Sequence, residues 1–115
     1  MSFLRTLFGI KNENSDKITV LDKSTYADTI KENKVQLVDV RTSEEYQSGH
    51  IKKAVNIDVM NAVNFERAFD KFDKNKPVYL YCRSGARSQK AASKLVNMGF
   101  SKIYDLQGGY MNWIR

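Results

Sequence analysis

Pro77-Val78-Tyr79-Leu80-Tyr81-Cys82-Arg83-Ser84-Gly85-Ala86-Arg87-Ser88 (PVYLYCRSGARS) runs from a strand signal through a tight loop into a helix signal. Pro77 blocks helix continuation, and the aromatic and β-branched run Val78–Tyr81 reads as a strand. From Ser88 to Met98 the small and apolar residues Ala91, Ala92, Leu95 and Val96 recur on one helical face, with Gly99 placed just beyond as the C′ residue. The same alternation extends outward in both directions. Upstream, strands are expected at Ile18–Leu21, Val35–Val40 (VQLVDV) and Ala54–Ile57. The helices between them are expected over Thr25–Glu32, capped by Ser24, and after Ser43, ending at Gly49. Asn64 is expected to cap a further helix whose Phe65, Ala68, Phe69 and Phe72 share one face. Downstream, Ile103–Leu106 reads as the last strand, and Gly108-Gly109 turn into a short helix through Trp113. Strands alternating with helices at this spacing predict an α/β fold with a mostly parallel sheet.

Composition narrows the chemistry. A chain of 115 residues, 42% hydrophobic and 28% charged, fits a globular domain rather than a disordered one. One Cys precludes an internal disulfide, and one Cys with one His leaves little for a metal. No metal and no cofactor is therefore expected. The net charge of +6 comes largely from lysines interspersed with acids, the pattern of a solvated surface rather than a nucleic-acid footprint. No apolar run approaches the length of a membrane span. Residues 1–17 read as a leader and linker ahead of a domain over 18–115. Phe3, Leu4, Leu7 and Phe8 can share a face, which leaves a short docking or membrane-surface helix as the alternative to a leader resting on the domain.

Cys82 falls just past the carboxyl end of a strand, where open α/β sheets place their sites. Small residues in Arg83–Ser88 let the backbone curl, and Gly85 tolerates a positive φ. Loop amides and the start of the following helix then form an anion cradle, with Arg83 and Arg87 beside it. These features favour thiolate over thiol, so Cys82 is the expected nucleophile and needs no separate general base.

Four blocks in order resemble the single-domain rhodaneses: Asp39-Val40-Arg41 with Glu45-Tyr46; Gly49-His50-Ile51 with Ala54 and Asn56-Ile57; Cys82 through Ser88; and Gly108-Gly109 with Trp113. The resemblance implies a five-stranded mostly parallel sheet with helices on both faces. It also implies a cytoplasmic thiosulfate sulfurtransferase that carries sulfur as a Cys82 persulfide between a small anionic donor and an acceptor. That acceptor is cyanide, a thiol or a sulfur-accepting protein. The amides of Arg83, Ser84, Gly85, Ala86, Arg87 and Ser88 match the family's cradle, and Arg83 and Arg87 match its donor contacts. Asp39 and Arg41 are expected as a buried ion pair with a secondary loop-orienting role, Glu45 as a partner of Arg41, and His50 as a hydrogen-bonded turn residue. Lys53 stands where relatives often have Gly and Asp58 where they often have Pro, both expected to lie away from the loop.

Two rival functions remain. A cysteine phosphatase or arsenate reductase would have five residues between its Cys and Arg, against four between Cys82 and Arg87, and a His where Tyr81 stands. A rhodanese-like persulfide-carrier or protein-interaction module without catalysis would ordinarily lack the cysteine or the basic loop residues, and both are present here.

Overall fold

The computed structural model describes residues 16–32 and 34–115; the reading of the leader falls on residues outside these. The elements are β1 (Ile18–Leu21), α1 (Lys23–Glu32), β2 (Gln36–Asp39), α2 (Ser43–Gln47), β3 (Val55–Asn56), α3 (Ala62–Phe69), β4 (Val78–Tyr81), α4 (Ala86–Asn97), β5 (Ile103–Leu106) and α5 (Gly109–Trp113). The five strands form one parallel sheet in the order β1-β5-β4-β2-β3. The chain leaves β2 toward β3 on one side and leaves β4 toward β5 on the other. The crevice beyond the carboxyl ends of β2 and β4 is therefore the topological switch point of the sheet.

Every residue of β4 is buried, as a central parallel strand covered on both faces requires. Its side chains alternate between two cores. Val78, Leu80 and Cys82 point into one with Phe65, Phe69, Ala91, Ala92, Leu95 and Phe100. Tyr79 and Tyr81 point into the other with Tyr26, Leu37, Ile51 and Leu106, against which Tyr110 and Trp113 pack. The Phe65, Ala68, Phe69 and Phe72 stripe faces inward as its spacing predicts, and Gly99 follows the C-cap of α4 with φ +100°.

Three caps and the lengths of two strands differ from the sequence reading. Asp22, not Ser24, caps α1: its Oδ1 accepts the Thr25 amide at 2.9 Å. Asn61, not Asn64, caps α3, and Asn64 supplies the amide that Asn61 accepts. In each case two cap-competent residues lie within three positions of one another. The segment around β2 is paired only over Gln36–Asp39, and β3 is reduced to Val55–Asn56 at the sheet edge. The helix ahead of β3 is capped by Thr42 rather than Ser43, in a reciprocal capping box with Glu45.

Lys53 has φ +75°, the only positive φ on a non-glycine residue among those described. A left-handed L-residue costs roughly 1–2 kcal/mol, and glycine there gives back part of that gain through its looser unfolded chain. Lys53→Gly is accordingly expected to raise the unfolding free energy by about 0.5–1 kcal/mol, read from urea midpoints; an unchanged or lower midpoint would contradict the strain.

Candidate active site

Cys82 follows β4 directly, and the loop Arg83–Gly85 leads into α4. The Gly85 N–H donates to Cys82 Sγ at 3.0 Å. Gly85 holds φ +120° with nothing within 4 Å of where a Cβ would sit, so glycine is required there by conformation and not by space. Ser88 Oγ lies 3.4 Å from Sγ and donates to Gly85 O at 3.2 Å. The first amides of α4, like those of any helix, lack intrahelical acceptors and add their dipoles beneath the loop. Cys82 itself is only 1% exposed. The sulfur thus lies on the floor of the loop, in an apolar core on one side and under a peptide N–H on the other.

The loop is held from behind by α5. Tyr110 N–H donates to Cys82 O at 2.8 Å and Met111 N–H to Arg83 O at 3.1 Å. Gly109 makes this approach possible: a Cβ there would sit 2.5 Å from Arg83 O and 2.6 Å from Cys82 O. With Cys82 O and Arg83 O bound by α5, the path of the loop behind the sulfur is fixed, and the N–H that meets Sγ is that of Gly85. The sequence reading singled out Gly108-Gly109 only as a turn. Its second glycine in fact marks a close approach of two backbones, the other reason glycine is used.

The two arginines of the loop differ. Arg83 is exposed. Arg87 is held by Glu45 through a two-pronged pair, Nη1–Oε1 at 2.8 Å and Nη2–Oε2 at 2.9 Å. These bonds, reinforced by the Thr42 cap and opposed by partial burial, bring the Glu45 carboxyl down to about 2 from its ordinary 4.5. The expected Glu45–Arg41 pair is therefore replaced by Glu45–Arg87. Arg41 is occupied by Asp39 on its own strand end, through Nη2–Oδ2 at 2.6 Å and Nε to both carboxylate oxygens at 3.0 Å. That pair is buried as expected. Its outward bonds go to Gly49 O at 2.7 Å and its guanidinium stacks 4.5 Å from the Tyr110 ring, one step removed from the sulfur.

Around this pair stand residues that sequence reasoning did not assign. Asn56 donates from Nδ2 to Asp39 O and Arg41 O, and Tyr81 Oη accepts the Ile51 amide at 3.0 Å. His50 behaves as expected, its Nδ1 on Tyr46 O at 2.8 Å and its ring stacked on Tyr46. Asp58 Oδ1 accepts the Met60 amide at 2.9 Å within its own turn. Asp105, on the face of β5 toward α4, is buried. Its Oδ2 accepts from Gln89 while Oδ1 has no partner, and burial raises its carboxyl above the ordinary range. Among the described residues no group of three or more His, Cys, Asp or Glu side chains is arranged to hold a metal, and no helix is long and apolar enough to cross a membrane.

The family described as Rhodanese-like domain matches residues 22–115. The chain belongs to this family. It is 39% identical over 88 residues to the thiosulfate sulfurtransferase GlpE of Pseudomonas fluorescens, covering 76% of this chain and 78% of that one. It is also 32% identical over 105 residues to the tRNA uridine(34) hydroxylase of Pelagibacter ubique, covering 91% of this chain but only 34% of the hydroxylase, so it spans about a third of that relative. The crystal structure of a rhodanese-like domain protein from Staphylococcus aureus superposes with a TM-score of 0.72 at 31% identity, covering 83% of this chain and 90% of that one. The rhodanese-like fold, with its five-stranded parallel sheet and flanking helices, and membership in a sulfurtransferase family thus agree with the reading of the sequence.

Two expectations follow from the geometry. Gly109→Ala should cost about 2 kcal/mol in urea unfolding, through steric conflict and a left-handed φ of +63°; a cost below a few tenths would mean that the clamp is soft. Glu45, depressed in the folded state, contributes stability that is complete above its unfolded value of 4.5 and disappears as pH falls toward about 2. Because the pair is partly exposed, Glu45→Gln should lower stability by only about 1 kcal/mol near neutral pH, with the difference vanishing on acidification. Denaturation midpoints measured across that range test the sign, and a difference that grows in acid would refute it.

Proposed function

We propose that this rhodanese-like chain is a sulfurtransferase moving sulfane sulfur from thiosulfate or a similar anionic donor to a thiophilic acceptor through a Cys82 persulfide. The observation that carries this reading is the Gly85 N–H aimed at Cys82 Sγ at 3.0 Å within a loop of four residues between Cys82 and Arg87. A peptide dipole on the sulfur stabilises negative charge on it in both the thiolate and the persulfide.

In the first half-reaction Cys82 Sγ attacks the outer sulfur of thiosulfate. A sulfur–sulfur bond forms to Cys82, the donor's own sulfur–sulfur bond breaks, and sulfite leaves with the electron pair. In the second, cyanide carbon or an acceptor thiolate attacks the terminal persulfide sulfur and Cys82 leaves as the thiolate. Charges and atoms balance in each step with no cofactor. Exposed Arg83 is the group suited to meet the incoming anion. Arg87, already bound on two prongs to Glu45, acts chiefly by fixing the first turn of α4. Ser84, Ala86 and Ser88 contribute backbone and hydroxyl dipoles, and Asp39 with Arg41 orients the strand ends beneath the loop. A reducing cytoplasm is the compartment in which a lone reactive thiol of this kind persists.

Intact-mass measurement after thiosulfate treatment tests the reading. The chain should gain the mass of one sulfur atom and lose it on adding cyanide, with thiocyanate released. Cys82→Ser should abolish the gain while leaving the unfolding midpoint unchanged. Arg83→Ala should raise the KM for thiosulfate about tenfold, the loss of a single partly solvated ion pair, with little change in stability. A mass gain that survives Cys82→Ser, or no gain in the intact chain, would overturn the assignment.

A further inference from the structure

A concavity of about 1030 Å³ lies on the other face of the sheet from Cys82, between α1, the start of β2, the turn at residues 51–53 and α5. Ile30, Leu37, Ile51 and Trp113 line its apolar part, and Lys31, Lys34, Lys52 and Lys53 stand around it. Among the described residues, none that lines it is acidic. Lys31 does reach Asp28, but at 3.8 Å with both side chains about three-quarters exposed, a contact that leaves the cation largely uncompensated.

Lys53, at its edge, is the residue held at φ +75°. Strained backbone conformations cluster at sites and ligand clamps. The sulfur-transfer chemistry uses neither this lysine nor this face.

Charge decides between occupants. Residues 1–15 carry Arg5 and Lys11 against Glu13, and a second copy of the chain carries +6 overall; neither complements a rim of four lysines. The volume and concave shape match a small-molecule site, typically about 300–1000 Å³ with an apolar lining and few polar groups. We infer that this groove binds a small amphiphilic anion, a hydrocarbon body seated on Trp113, Ile30, Leu37 and Ile51 with a carboxylate, sulfonate or phosphate head among the lysines.

Trp113 is the only tryptophan in the chain, so its fluorescence reports this groove directly. Titration of the full chain with decanoate as the probe should give a saturable change with one site per chain. 1-Decanol, which has the same body without the charge, should bind at least tenfold more weakly. The double variant Lys52→Glu, Lys53→Glu should weaken decanoate about tenfold, as expected for reversing two partly screened contacts. The lysines are exposed, so folding is not at risk, and a matched circular dichroism spectrum checks this. Equal binding of decanoate and decanol, no effect of charge reversal, a change that does not saturate, or a response to phosphatidylglycerol vesicles alone would each overturn the inference. None of these readouts requires a sulfur donor, so the outcome is independent of the sulfur-loading experiment.

Discussion

The arrangement of the site depends on two peptide hydrogen bonds, from Tyr110 and Met111 at the start of α5 to the carbonyls of Cys82 and Arg83. A loop that leaves a parallel strand would otherwise have its carbonyls as free to face the sulfur as its amides. Binding both carbonyls from behind fixes the first two peptides of the loop, from which the chain reaches the Gly85 N–H that meets Sγ. The geometry is available only because Gly109 has no Cβ, since any side chain would meet Arg83 O at 2.5 Å. Residues more than twenty positions apart thereby act as one unit, and β4, the loop, α4 and α5 become a single rigid support for Sγ.

Beneath the loop, the buried Asp39–Arg41 pair serves position rather than stability. Burying an ion pair costs desolvation that its attraction offsets only when every remaining donor is used. Here much of the guanidinium is engaged: Nε and Nη2 meet Asp39, Nη2 also reaches Gly49 O, and the plane lies over Tyr110, while the Arg41 backbone amide meets Asp39 Oδ1 at 2.9 Å. A lysine has neither the fork nor the flat face to make these contacts together. The pair ties the end of β2 to the turn before β3 and, through Tyr110, to the clamp on the cysteine loop. Removing one partner would leave the other buried and unpaired, so its effect would reach the sulfur without any direct contact.

Much of this was legible in the sequence because it is local. Pro77, the run Val78–Tyr81 and the small residues after Cys82 determine strand, loop and helix within a few positions of themselves, and the Phe65–Phe72 stripe reports its own inward face. What was not legible is non-local. Glu45 has one arginine four residues before it and another forty-two after it, and only the packing of α2 against α4 brings the second within 2.8 Å. The choice of Asp22 over Ser24, and of Asn61 over Asn64, likewise lies between neighbours that local sequence makes equally fit to cap. The double glycine was visible, but whether it served a turn or a close backbone approach could be read only once α5 was seen against the loop. Lys53 was noticed as a departure from a glycine, and its left-handed backbone explains why glycine suits that position.

The burial of Cys82 bears on which anion the loop can serve. A sulfur 1% exposed and roofed by the Gly85 N–H at 3.0 Å has little room for a tetrahedral oxyanion centred above it. Arg87, the cation that would have to close on such an oxyanion, is turned to Glu45 by two short bonds. Releasing it would leave the Glu45 carboxylate without the partner that brings it to about 2. One added sulfur atom, by contrast, is far smaller than such an oxyanion, sits beside the Gly85 N–H already on Sγ, and asks nothing of Arg87. Under the proposed sulfur transfer the donor's sulfonate end can remain outside with Arg83, so only the sulfur–sulfur exchange, with its single negative charge met by the Gly85 N–H, has to occur on the floor of the loop. The loop's narrowness and the engagement of its second arginine are therefore the same constraint, and both favour sulfur over phosphorus.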